Sequence, residues 1–276
     1  MVKRFPLRGA EANMNPSVNQ TIDFDPAINL ARQTLYRFAA LPFVDPKVGA
    51  WNDLQSLRDA PVLLDAAALL RSLPEASPAK LGLGELPLVD LDPRRVLERL
   101  PDSQPALNVE YENTFGLLVS SECPPYETEY IGSKFDFQRS NGLADISGFY
   151  RAFGLTIADG HPERPDHLVL ELEFMASLLG LERRAHDDSN LRLQRLSICR
   201  DAQSRFLREH LAWWVPAFAK LLNAGNANGF YAAAGNFLAA LIPAERGLLG
   251  LPPVSRGAAP STVEQPELCE GCQLAG

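Results

Sequence analysis

The sequence predicts an all-α fold, a single helical bundle, on three observations. Apolar residues recur at spacings of three and four through most of the chain, Asp-Pro helix starts occur at Asp25-Pro26 and Asp45-Pro46, and no convincing run alternates apolar and polar residues as a half-buried strand would. With 276 residues, 46% of them hydrophobic and 22% charged, the chain has the balance of a soluble globular protein and the length to bury a full core.

The helices follow in order. Asp25 is a cap and Pro26 a first-turn proline, after which Ile28, Ala31, Leu35 and Phe38 fall on one face. Asp45-Pro46 repeats the signal, and Val62 to Leu73 is an Ala/Leu-rich segment of high helix propensity. A Pro/Gly-rich connection leads to a short helix near Pro93 to Leu100 and a longer one near Val109 to Leu118, and Pro124-Pro125 then interrupts the chain. Leu143, Ile146, Tyr150 and Phe153 draw a stripe that stops at Gly154, a natural helix end. Beyond a loop from Ala158 to Pro165, Leu168, Leu172, Met175 and Leu179 line another helix. Leu207, Leu211, Trp214 and Phe218 line a later one with a kink expected at Pro216, and Phe230 to Leu241 is the last.

The bundle domain is therefore expected over residues 26–245. Residues 1–25 hold no lasting apolar period and are expected to form a flexible arm, while residues 246–276, punctuated by Pro252-Pro253, Pro260 and Pro266, form a tail with a Cys269-Glu270-Gly271-Cys272 element.

Charge and targeting narrow the partners. A net charge of -8 and a pI near 5.1 disfavour nucleic acid and anionic membranes and favour basic peptides. No segment approaches the roughly 20 apolar residues that cross a bilayer, and the opening Met1-Val2-Lys3-Arg4-Phe5-Pro6 leads into polar sequence, so a cytoplasmic location without membrane insertion is expected. Four cysteines in a chain this long are too few for a disulfide framework.

The common catalytic signatures fail. The chain has no Gly-x-x-x-x-Gly-Lys loop, no Gly-x-Ser-x-Gly elbow and no His-Glu-x-x-His pair, and Gly82-Leu83-Gly84 lacks the third glycine of a dinucleotide site. Glu163 precedes His167 by four residues across a proline, which is not the Glu-x-x-His of di-iron bundles. Cys269 and Cys272 have ligand spacing but no further donors nearby, so a reduced tail is the expectation and metal the minor reading. No cofactor is expected. His210 reads as a satisfied core histidine, and His161 and His186 as solvated loop residues.

Two clusters remain. Glu110 to Gly116, followed by Cys123-Pro124-Pro125-Tyr126-Glu127-Thr128-Glu129-Tyr130, interleaves acids with aromatics. It reads either as a capped loop packed on the bundle or as a surface that pairs guanidinium groups with carboxylates and stacks them on rings. In Glu163-Arg164-Pro165-Asp166-His167, Asp166 reads as an N-cap of the following helix and Glu163 as a charge favourable to its dipole, each worth about 0.5 to 1 kcal/mol; spacing alone favours this over a binding role.

Here the sequence resembles a known family. Tyr36 with Leu35 and Phe38, then Tyr126-Glu127, Asp145 to Gly154, Glu163 to Leu168 followed by Glu171, Glu173, Phe174 and Met175, and then Phe206 to Trp214 are similar in order to the TorD/DmsD/NarJ group of redox-enzyme maturation chaperones, over roughly residues 26–243. Cys123 to Tyr130 resembles the branch serving periplasmic enzymes of the dimethyl sulfoxide reductase type. The resemblance implies a TorD-like helical protein that is not an enzyme. Its implied partner is the catalytic subunit of a molybdenum oxidoreductase, bound through its twin-arginine signal peptide or as apoprotein until the cofactor is inserted before export, with a homodimer allowed. The family's peptide-binding loop carries over to Glu163, Pro165, Asp166 and His167; Tyr126 and Glu127 join it, and Phe153, Trp213 and Trp214 are expected to line an adjacent apolar groove. The N-terminal arm and the Cys-x-x-Cys tail lie outside the family pattern. The alternatives left standing are a helical-bundle metal- or cofactor-binding enzyme and an integral subunit of the redox complex.

Overall fold

The computed structural model describes residues 2–4, 24–116, 123–131, 136–157, 163–187 and 191–254. Its helices are α1 (Pro26–Ala40), α2 (Ala50–Ser56), α3 (Pro61–Ser72), α4 (Pro93–Leu97), α5 (Gln104–Phe115), α6 (Asp136–Ala152), α7 (Leu168–Asp187), α8 (Arg192–Phe206), α9 (Ala212–Asn226) and α10 (Phe230–Leu248). The fold is all-α and TorD-like.

The start signals act as read. Asp25 accepts the amides of Ala27 at 2.7 Å and Ile28 at 3.1 Å, with Pro26 in the first turn. Asp45-Pro46 begins only a single 3-10 turn, Pro46–Val48, because Gly49 at φ 103° redirects the chain into α2. The helix expected near Val109 starts earlier, at the Ser103 cap, and stops at Gly116 with φ 74°. Gly154, at φ 67°, follows the end of α6 as expected.

Two elements differ from expectation. Helix α8 lies outside the expected helices: its buried stripe Leu196, Cys199, Ala202 and Phe206 is made of small or isolated apolar residues, and Leu193 and Ile198 on its other faces are exposed, which blurs the pattern. Val2–Arg4 pairs antiparallel with Leu155–Ile157, Val2 opposite Ile157, so the start of the chain is tied to the bundle. Three residues a strand are too few for alternation to be visible. The remainder of the predicted arm, His161, and the tail from residue 255 with Cys269 and Cys272 lie outside the described residues.

Helix α10 is apolar on nearly every face and, apart from Asn236, buried from Phe230 to Arg246, which makes it the central rod, packed against α9 and α4. Helix α1 lies against α3 and α7, and α7 against α8. Polar groups are also enclosed. Glu182 accepts from Asn29, Arg200 and Gln203, and Arg246 forks onto Glu85, its Nη2 2.7 Å from Oε2, fastening the loop before α4 to α10.

The π turn Leu207–Leu211 joins α8 to α9. It lies just ahead of Pro216, whose ring would otherwise press on the Ala212 carbonyl and which cannot donate to it. Beside it, Phe149, Tyr150, Phe174 and Phe206 form an aromatic block, with Phe174 and Phe206 at 4.6 Å, that backs the acidic loops.

Candidate functional site

Both acid-containing loops come together. Tyr126 and His167 form a one-pair antiparallel bridge in which the Glu127 amide donates to the Asp166 carbonyl at 2.9 Å and the Leu168 amide to the Pro125 carbonyl at 2.9 Å. Pro124 and Pro125 have no N–H, so at these positions the chain can only accept, which suits it to receive the first amide of α7.

Asp166 does not cap α7, contrary to the sequence reading. His167 occupies that position, and its Nδ1 accepts the Val169 amide at 3.2 Å. The neutral ring therefore carries its proton on Nε2, 3.8 Å from Glu163 Oε2. Asp166 is instead fully buried and accepts from the Thr128 amide at 3.1 Å and hydroxyl at 2.7 Å. Arg164 completes it, donating from Nε to Oδ1 at 3.0 Å and from Nη2 to Oδ2 at 2.9 Å. The same guanidinium reaches Glu129 Oε1 at 3.1 Å and stands 4.4 Å from the centre of the Tyr126 ring. Tyr126 donates its hydroxyl to Glu163, and burial, followed by that carboxylate, raises the tyrosine pKa. Tyr150 donates to the Pro165 carbonyl at 2.9 Å, fixing the loop from below.

A second, deeper layer centres on Glu127, which accepts Trp213 Nε1 at 2.8 Å and lies 3.0 Å from His210 Nδ1. His210 is thus a buried, partnered histidine; its Nε2 is 3.4 Å from Asp145 but out of hydrogen-bond alignment. Glu171 is fully buried, takes Trp214 Nε1 at 3.2 Å and has no donor on Oε1 among the described residues. Burial, and then the neighbouring Glu127, hold its carboxyl well above the usual range. Next to this layer opens a cavity of about 330 Å³ lined by Leu83, Tyr130, Trp213, Pro216, Ala217 and Leu221. Leu83 is 83% exposed at the rim of this cavity.

Residues 87–220 match the family model of the nitrate reductase delta subunit. Among curated proteins, the selenate reductase assembly chaperone of Thauera selenatis is 36% identical over 42% of this chain and 56% of its own length. The chlorate reductase assembly chaperone of Ideonella dechloratans is 36% identical over 41% and 55%, and chaperone protein TorD of Photobacterium profundum 26% identical over 52% and 64%. Residues 87–220, just under half of the chain, are of the TorD/NarJ family. Each of these matches spans less than two thirds of the relative's length. The matched segment holds the acid-aromatic loops from Tyr126 through Glu163 to Trp214, whereas Leu83 and Leu221 of the cavity and helices α1 and α10 lie outside it.

The predicted site residues divide by depth. Glu163, Pro165, Tyr126, Phe153 and Trp213 are partly exposed, whereas Glu127, Asp166, His167 and Trp214 are buried. Phe153 packs on Phe174 and is not part of the cavity lining, and Trp214 points into the core against Tyr130 and Phe218. Sequence reasoning gave no individual role to Thr128, Glu129, Arg164 or Leu83. A clue was present in Arg164 itself, a cation between two acids in a chain of net charge -8.

Proposed function

We propose that this chain is a cytoplasmic, non-catalytic assembly chaperone that binds the twin-arginine signal peptide or apoprotein of a molybdenum-containing oxidoreductase and holds it until its cofactor is inserted. The observation that carries this reading is the adjacency of the acid-aromatic loops to an apolar cavity, Trp213 serving both by donating to Glu127 and lining the cavity. A signal peptide with basic residues followed by an apolar run has the same order of chemistry. That several relatives are named reductase assembly chaperones supports the choice of client class. No helix among the described residues is long and apolar enough to cross a membrane, which accords with a protein that meets its client before export.

The groups that meet the client in this reading are Glu163, Tyr126, Glu129 and Trp213, with the Asp166 carboxylate beneath Arg164, His167 and Glu127 setting their positions and Trp214 acting through the core. Calorimetric titration with a synthetic twin-arginine signal peptide of a molybdenum reductase tests it: binding in the micromolar range or tighter is expected, and no heat at ten times that concentration would remove the reading. A second reading, a subunit retained in the mature enzyme, is favoured by the family model's description as a delta subunit. Co-purification with active enzyme after export would select it over a transient partner.

A further inference from the structure

We infer that Arg164 is a built-in occupant of the guanidinium position of the binding site, displaced by an arginine of the client; this rests on the client-binding reading above. Arg164 makes every contact that a receptor for arginine offers: a two-point fork on Asp166, a carboxylate at Glu129, the Thr128 hydroxyl at 3.1 Å and an aromatic face at Tyr126. Its side chain is 38% exposed while that of Asp166 is 0% exposed, so Arg164 covers the carboxylate from the solvent side. A second arginine, Arg139, stands 3.3 Å from the other oxygen of Glu129.

The chain around Arg164 is fixed. Pro165 restricts the preceding backbone, and its carbonyl is held by Tyr150. The movable part is the arginine side chain. Asp166 is buried and without a cation would keep only the two Thr128 donors, a costly state, so its partner leaves most readily as another enters. A like-for-like exchange adds little affinity but gives selectivity: a lysine ammonium cannot reproduce the fork, the Glu129 contact and the stacking together. Arg164 thereby sets both the threshold for binding and the preference for arginine.

The probes are a synthetic peptide with an Arg-Arg pair ahead of a leucine-rich apolar run and its Lys-Lys counterpart. They are titrated into the full chain, wild type, Arg164→Ala and Arg164→Lys. Removing the occupant should tighten the Arg-Arg peptide about tenfold in Arg164→Ala and the Lys-Lys peptide less than about threefold, with Arg164→Lys between. Should Arg164→Ala not fold, Arg164→Lys carries the comparison. In addition, millimolar ethylguanidinium should raise the Tm of Arg164→Ala but not of wild type, and ethylammonium should raise neither. If wild type binds the Arg-Arg peptide while the folded Arg164 variants bind it equally or more weakly and ethylguanidinium has no effect, Arg164 is a structural brace and the inference is wrong. If no form of the protein binds either peptide, the inference fails together with the client-binding reading.

Discussion

Arg32 on α1 and Glu245 on α10 form an enclosed ion pair, with Nη2 2.7 Å from Oε2 and Nε 2.9 Å from Oε1. Gln203 of α8 takes the remaining edge of the guanidinium at 2.9 Å, so three helices meet on one charge. Removing one partner leaves the other buried and unpaired. Glu245→Ala is therefore expected to destabilise by about 3 to 5 kcal/mol, whereas Arg32→Met with Glu245→Leu should recover most of that loss. Urea midpoints at constant slope measure both, and a loss under about 1 kcal/mol in Glu245→Ala would contradict the enclosed pair.

Gly247 and Gly148 should respond oppositely to alanine. A Cβ on Gly247 would sit 2.2 Å from the Glu75 carbonyl oxygen, a backbone atom that cannot swing away, while a Cβ on Gly148 in α6 meets nothing within 4 Å. Gly247→Ala should cost about 1 to 3 kcal/mol through overpacking, and Gly148→Ala should gain about 0.5 to 1 kcal/mol of helix propensity. Thermal melts of the two variants read the difference in sign.

Glu171 makes stability fall as pH rises. Its folded-state pKa lies well above the unfolded value, with burial the main cause and Glu127 the next. Between those two pKa values the folded chain holds one proton more than the unfolded chain. The favourable contribution is complete below the unfolded pKa near 4.5 and is lost upward through the folded one, at about 1.4 kcal/mol per pH unit. Glu171→Gln keeps an acceptor for Trp214 without the titration. The gap between variant and wild type should therefore widen in the variant's favour from pH 4.5 to pH 8; a constant gap would show that Glu171 ionises normally.

The helices were legible where a cap and a stripe coincide, as at Asp25-Pro26 with Leu35 and Phe38. They were illegible where composition blurs the stripe: α8 buries Gln203 and exposes Ile198, because its inner face answers Arg32 and Glu182 as much as the apolar core. At the site, the two acid-bearing segments were visible but not their joining. Thr128 and Asp166 are 38 residues apart and meet through a backbone bridge that no periodicity announces. The cap assigned to Asp166 failed for the same reason, since its true partners lie on the other loop.

Trp213 and Trp214 are adjacent in sequence and should separate binding from folding. Trp214 is fully buried against Phe218 and Tyr130, so Trp214→Ala should cost about 3 to 5 kcal/mol of stability. Its folded fraction should retain near-normal peptide affinity. Trp213 lines the 330 Å³ cavity and donates to Glu127, so Trp213→Ala should weaken signal-peptide binding by about 1 to 3 kcal/mol, roughly 5- to 150-fold. Trp213→Phe keeps an aromatic ring, smaller than the indole, and loses the Nε1 donor; affinity close to wild type would assign the contribution to apolar contact, and affinity close to Trp213→Ala would leave the donor to Glu127 or the lost indole area as its source. Titrations at matched folded concentration measure all three, and an unchanged affinity in Trp213→Ala would move the client's apolar segment away from this cavity.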